Sequence, residues 1–290
     1  MSDKQPLFAF FGTPKFAVDV LNALEAKGLL PALVITAPDR RQGRGMVLTP
    51  SPAKQWATER GIDVLTPTTL KDEGFVAELA NTEWDVFVVA AYAKLIPKAM
   101  LDIPKHGCLN IHPSLLPKFR GPSPALSAIL ADERATGVSI MQMAEKMDAG
   151  PVVAQAKVEL EEETSQEPGW PMRGSEFEEL LATEGGNLLA EVLPFYIKGE
   201  ITPEAQDESK ATFTKKFTDA DALIDFSQDA RKNYLKIKTF DKGPRAYMLV
   251  DGKRVIIKDA TFQNNELTIT RVIPEGKKEM AYSQFLQGKV

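Results

Sequence analysis

The sequence is poor in the residues that build disulfides and metal sites. Its 290 residues contain one cysteine, Cys108, and two histidines, His106 and His112. A single cysteine excludes an intrachain disulfide and a cysteine-rich zinc site. With no disulfide framework, the default compartment is the cytoplasm. Two histidines so near each other on one strand do not make a zinc constellation, and no metal is expected. No apolar run approaches the roughly 18 residues that a membrane helix needs, so no membrane partner is expected. The first residues lack the basic start, long apolar core and cleavage site of a signal peptide. There is no internal repeat and no low-complexity segment. GxGxxG and Walker loops are also missing, so neither a dinucleotide nor an ATP site is expected.

What remains is an ordinary folded composition, 43% hydrophobic and 26% charged. The length suggests two domains. The net charge is only -5, but it is unevenly placed. Residues 231–290 hold 13 Lys and Arg against 6 Asp and Glu, while residues 1–230 hold 22 against 34. A basic tail on an acidic body fits a polyanionic partner such as RNA. The plainer reading is chance clustering on a solvated surface.

Along the first half, strand-like and helix-like runs alternate. LFAFFG (Leu7–Gly12), ALVITA (Ala32–Ala37), DVFVVAAY (Asp85–Tyr92) and HGCLNIH (His106–His112) read as buried strands. Helices are expected after Pro14, over Pro52–Arg60 and over Asp72–Ala80. This alternation predicts an α/β fold, a Rossmann-like and mostly parallel sheet covered on both faces. GVSIMQM (Gly137–Met143) and PVVAQAKVEL (Pro151–Leu160) read as two further strands, and residues 176–198 as a helix. The catalytic domain is therefore expected over 1–198, and a polar linker over 199–212. A small β domain, with strands in AYMLVDG, KRVIIKDATF and ELTITRVI, is expected over 213–290.

Ligands in such sheets bind at the carboxyl ends of the strands. Three stretches lie there: Gly12–Pro14, Tyr92–Pro97 and Asn110–Pro117. Asn110 and His112 are two apart, so on a strand they share a face. An amide donor and an imidazole at a strand end suit a carbonyl oxygen that gains charge under nucleophilic attack. Asp148, in a tight Asp-Ala-Gly turn, would favour the imidazolium if it lay nearby. The alternative is that all three are satisfied polar or turn residues. Cys108 on a strand reads as a small hydrophobe rather than a nucleophile.

NIHPSLLPKFRGPSP resembles the signature of the folate-dependent formyltransferases, and MDAGPVV resembles their aspartate segment. FFGTPKFAVDVLNAL, APDRRQGRGMVLTPSPAKQWA and AAYAKLIPKAMLDIPKHGCLNIH agree in the same order. The similarity is strong over residues 7–160 and weaker over 176–258. It is closest to the branch whose acceptor is methionyl initiator tRNA. The resemblance implies transfer of a formyl group from 10-formyltetrahydrofolate to the methionyl amine, with Asn110, His112 and Asp148 as the catalytic residues and no metal. Ser114, Leu115, Leu116 and Pro117 would line one wall of the folate site; Tyr92, Leu95 and Ile96 would lie on the other. The loop Pro38–Pro52 would enter the acceptor-stem end of the tRNA. Arg44 would discriminate the initiator, with Arg40 and Arg41 beside it. The C-terminal domain would be an OB-like barrel that contacts tRNA through Lys215, Lys216, Arg245 and Lys253. A monomer is expected.

Two features depart from that pattern. Residues 166–175 read as an insertion in which Trp170 packs locally, and the C-terminal domain reads as shortened by about two strands. Two other functions compete. An amino-sugar nucleotide formyltransferase would share the three catalytic residues, but the Arg-Gly loop and basic tail oppose it. A folate-binding protein without transfer activity is opposed by the intact Asn110, His112 and Asp148.

Overall fold

The stretch Phe8–Gly12 is apolar throughout, and all five of its residues are buried. Such a strand needs neighbours on both edges and a layer on each face. The structure is a computed structural model and describes residues 5–43, 45–162 and 169–288. The chain begins with β1 (Phe8–Gly12), α1 (Lys15–Ala26), β2 (Leu33–Ile35), β3 (Arg40–Gln42), β4 (Val47–Thr49), α2 (Pro52–Glu59), β5 (Asp63–Leu65) and α3 (Glu73–Ala80). It continues through β6 (Val86–Ala90), α4 (Lys98–Leu101), β7 (Cys108–His112), α5 (Pro124–Leu130), β8 (Ala135–Gln142), β9 (Val152–Glu159) and α6 (Gly174–Ile197). The last elements are α7 (Ala230–Thr239), β10 (Tyr247–Val250), β11 (Lys253–Gln263), β12 (Glu266–Pro274), β13 (Met280–Ala281) and α8 (Tyr282–Gln287).

Two compact units result. The first comprises Met1–Gly121, Gly137–Val158 and Glu179–Phe213; the second comprises Pro122–Thr136, Glu159–Glu178 and Thr214–Val290.

The first unit is an α/β layer structure. Its sheet has the order β5-β2-β1-β6-β7-β8-β9. The five strands from β5 to β7 are parallel, and β8 runs antiparallel to β7. Alternation sorts the apolar runs onto two faces. Phe8, Phe10, Val86, Val88, Leu109 and Ile111 pack with α1, α2 and the later turns of α6. Ala9, Phe11, Phe87, Val89 and Cys108 pack with Leu79, Trp84 and Met100 on the other side. Continuous apolarity along these strands is thus the sum of two cores. Ser51 and Asp72 start α2 and α3 by accepting from Lys54 N and Phe75 N, at 3.0 and 2.8 Å.

Register brings the expected site elements together. Gly12 pairs with Ala90, and Val89 with Asn110. Thr13, Tyr92 and His112 therefore leave the sheet side by side at the carboxyl ends of β1, β6 and β7. Gly12 is obligatory in this packing, because a Cβ there would lie 2.6 Å from the Ala17 methyl and 2.9 Å from the Ala90 carbonyl oxygen.

Two stretches are more ordered than their composition suggests. The Pro38–Pro52 loop contains the β3–β4 hairpin, with Arg40 opposite Thr49 and Arg41 opposite Leu48. The polar run after α6 lies along the first unit, where Glu204 bridges to Val152 and Phe213 to Arg120. Its backbone groups find partners there, which a free linker would leave to water.

The second unit carries a four-stranded antiparallel sheet, β10-β11-β12-β13. Its core joins Tyr234 and Ile237 from α7, and Phe240 just after it, to Met248, Val255, Ile257 and Val272 from the strands. Trp170 is fully buried in this unit; its indole N–H donates to Asp132 Oδ1 at 2.6 Å and its ring meets Phe177 edge-on. Residues 166–168 of the expected insertion lie outside the described residues. No helix among the described residues is long and apolar enough to cross a membrane.

Candidate active site

β7 ends in the two polar residues that its sequence placed on one face. Asn110 is half-buried and His112 is buried. The loop that follows turns back on them. The His112 Nε2 atom lies 3.0 Å from the Phe119 carbonyl oxygen. A carbonyl only accepts, so Nε2 carries the proton, and in the neutral ring the lone pair is at Nδ1. Nδ1 lies 3.9 Å from Asp148 Oδ1. Burial pushes the His112 imidazole below its ordinary value; the Asp148 carboxylate and the Phe119 carbonyl oppose that shift, and the Arg120 guanidinium adds to it.

Asp148 reaches this position through an unusual turn. Its φ is 51°, a left-handed conformation that Asp tolerates better than most residues. Gly150 follows because the turn lies against β8: a Cβ at Gly150 would come 1.8 Å from the Gln142 carbonyl oxygen. The Asp148 carboxylate accepts from Gly121 N at 2.7 Å. The Asp-Ala-Gly sequence is therefore both a turn and a means of aiming a carboxylate at His112.

The proposed folate wall is held rigidly. Ser114 is fully buried and its hydroxyl donates to Lys118 O at 2.7 Å. Ser139 donates to Ser114 O at 2.6 Å and accepts from Leu116 N at 3.0 Å. Gln155 holds Leu116 O at 2.9 Å. Leu116 is buried, while Leu115 and Pro117 are half-buried. Across the strand ends, Ile96 is buried and Leu95 is 80% exposed. The Tyr92 hydroxyl is buried without a hydrogen-bond partner, and burial pushes it up to about 12.

The other expected residues are more dispersed. Arg40 and Arg41 are exposed on the β3–β4 hairpin, where Arg41 donates to Met46 O at 3.2 Å. Arg44 lies outside the described residues. In the second unit Lys215 pairs with Asp221, whereas Lys216, Arg245 and Lys253 are exposed. Cys108 is buried with its thiol pushed up to about 12 by desolvation, which makes it a poor nucleophile. Among the described residues no group of three or more His, Cys, Asp or Glu is arranged to hold a metal ion.

Residues 5–178 match the family described as Formyl transferase. The chain belongs to the formyltransferase family. It is 36% identical over 304 residues to the methionyl-tRNA formyltransferase of Bacillus licheniformis, covering 96% of this chain and 94% of that one. It is 44% identical over 252 residues to the methionyl-tRNA formyltransferase of Chloroflexus aurantiacus, covering 87% and 79%. The solved methionyl-tRNA formyltransferase of Clostridium thermocellum shares the fold, with a TM-score of 0.61 at 14% identity over 93% of this chain and 99% of that one.

Two further residues stand against this grouping without having been expected there. Arg120 is completely buried, and its Nε and Nη2 donate to Gln206 Oε1 at 3.0 and 2.8 Å. Gln206 in turn donates to Asp148 O at 2.9 Å and to Gly150 O at 2.7 Å. Arg120 stood inside the FRG of the signature, where a charge amid apolar residues was an available signal. Gln206 had none, because it lies in a polar run with no periodicity.

Proposed function

We propose that this protein transfers the formyl group of 10-formyltetrahydrofolate to the amino group of methionyl initiator tRNA, yielding formyl-methionyl-tRNA for translation initiation. The observation that carries the reading is the Asn110–His112–Asp148 grouping at the end of β7, in a chain more than a third identical to methionyl-tRNA formyltransferases over nearly its whole length. The folate supplies an activated formyl group. Its fit is supported by a largely apolar wall of Leu115, Leu116 and Ile96 and by the unpartnered Tyr92 hydroxyl, which a polar heterocycle would satisfy.

Asn110 donates its amide N–H to the formyl oxygen as that atom gains negative charge. The growing charge raises the proton affinity of His112 Nδ1. His112 takes the proton of the attacking amine there and returns it to the departing folate nitrogen, with Asp148 stabilising the imidazolium between the two transfers. One C–N bond forms, one breaks, and one proton crosses from the attacking amine nitrogen to the departing folate nitrogen. Residues 1–198 carry this chemistry. Across 213–290, the second unit's sheet is read as a shortened OB-like domain that holds tRNA through Lys216, Arg245 and, more weakly because it is paired, Lys215. Arg44, with Arg40 and Arg41 on the hairpin, selects the initiator. The protein is read as a cytoplasmic monomer.

The test is formylation of methionyl initiator tRNA beside methionyl elongator tRNA. Formyl-methionine on the initiator alone is expected, and Arg44→Ala should weaken that turnover while folate binding stays intact. A nucleotide-linked amino sugar formylated faster than either tRNA would overturn the reading.

A further inference from the structure

Three consecutive residues hold the reacting groups from behind. The Phe119 carbonyl accepts from His112 Nε2, the Arg120 side chain donates to Gln206, and the Gly121 N–H donates to the Asp148 carboxylate. The Gln206 amide closes the frame. Its two N–H donors face the carbonyls of Asp148 and Gly150, and its oxygen faces the guanidinium fork. Only one orientation of the amide satisfies all these contacts, since a flipped amide would set NH2 against a cation and oxygen against two carbonyls. Arg120 is also fixed by Glu208, at 2.7 Å; Arg120 and then Lys146 pull the Glu208 carboxyl down to about 2. Arg120 N donates to Thr212 O at 2.8 Å, which ties down the run that carries Gln206 a second time.

We propose that Arg120 and Gln206 are positioning residues for formyl transfer: they pin the left-handed Asp148 turn so that its carboxylate stays on the Nδ1 side of His112. This rests on the reading of Asn110, His112 and Asp148 as the reacting group. Neither residue touches a substrate in the scheme. A left-handed non-glycine residue is unfavourable by itself, and it persists only where its surroundings hold it. Gln206 supplies that hold through two carbonyls of the turn, and Arg120 fixes Gln206.

Gln206 is the residue to change, because it is half-exposed and neutral. Arg120 is buried, and its loss would alter the charge that faces His112 directly. Asp148 and Arg120 are the charged groups acting on His112, and Gln206→Met leaves both in place. Gln206→Glu keeps an acceptor for Arg120 but sets a carboxylate oxygen against the two turn carbonyls. Both variants, as full-length protein, should lose about tenfold or more in kcat with KM for folate and charged tRNA changed less than about threefold, as expected when reacting groups are misplaced rather than substrates released. The His112 titration, followed by NMR with His106→Gln to assign the two histidines, should move to lower pH as Asp148 drifts away.

A folded Gln206→Met protein with wild-type kcat and an unmoved His112 midpoint would overturn the proposal. So would a rise in KM at constant kcat, which would make Gln206 a binding residue. Wild-type protein that formylates no acceptor would instead sink the functional reading, and the His112 midpoint would still report whether Gln206 positions Asp148.

Discussion

His112 Nδ1 stands 3.9 Å from Asp148 Oδ1, beyond hydrogen-bonding distance but well within reach of a strong Coulomb interaction. Both side chains are largely shielded from water, with 5% and 16% of their surface exposed. With the Nε2 proton committed to Phe119 O, the neutral ring turns a lone pair toward the carboxylate. A proton arriving at Nδ1 converts that arrangement into an ion pair. In the proposed mechanism that ion pair forms as negative charge gathers on the formyl oxygen.

Asp148→Asn tests this relationship directly. The amide keeps the side chain's size and removes its charge. Burial then acts on His112 against less opposition, so its titration should fall further below the ordinary histidine range. Turnover of charged tRNA should drop by about 100-fold or more, because His112 then carries the proton without the carboxylate that stabilises its imidazolium. Single-turnover formylation and the His112 NMR titration measure the two effects.

The depressed His112 value also makes stability depend on pH. Below the ordinary histidine value of 6.5 the unfolded chain binds the proton more readily than the folded one. The contribution of His112 is therefore present above pH 6.5 and is lost as pH falls through the lower folded value. Melting temperatures taken from pH 7.5 to 5 should fall for the wild type and fall less for His112→Asn. Parallel slopes for the two proteins would contradict the direction assigned to His112.

Asn110→Ala should leave folate binding nearly intact. In the proposed mechanism it removes a donor that matters only as charge develops on the formyl oxygen, so kcat should drop by roughly 100- to 1000-fold. Folate affinity by fluorescence and turnover by formyl-methionine release separate the two. A matching loss of folate affinity would make Asn110 a ground-state contact.

Cys108 should be silent in catalysis. Its thiol is buried and pushed up to about 12, and it lies toward Leu101 O at 3.7 Å. Cys108→Ala should retain turnover within about twofold, and alkylation of the native protein should be at least about 100-fold slower than in denaturant. Rapid inactivation by a maleimide at Cys108 would reopen the question of a cysteine nucleophile.

The central strands were readable because each carries two cores at once. Phe8 to Phe11 alternate between the two faces, and Val86 to Val89 do the same. Helix starts were readable where a side chain caps them, at Ser51 and Asp72. The β3–β4 hairpin was not, because Arg and Gly suggest a loop and the pairing of Arg41 with Leu48 leaves no burial pattern in the sequence. The run after α6 was equally opaque, since its order comes from bonds such as Thr212 O to Arg120 N and Gln206 to Gly150 O, made far along the chain.

By itself, then, the sequence determined the central strands and the helices that pack on them, and through NIHPSLLPKFRGPSP and MDAGPVV the family. Periodicity and turn chemistry act over a few residues, so they are written locally. Tertiary structure alone decided that the Asp148 carboxylate meets Gly121 from 27 residues away, and that Arg120 reaches Gln206 across 86. Those contacts depend on the antiparallel register of β7 with β8, where His112 pairs with Ser139, and on the exclusion of water from Arg120. Neither register nor burial at such separations is a property of any short stretch of chain.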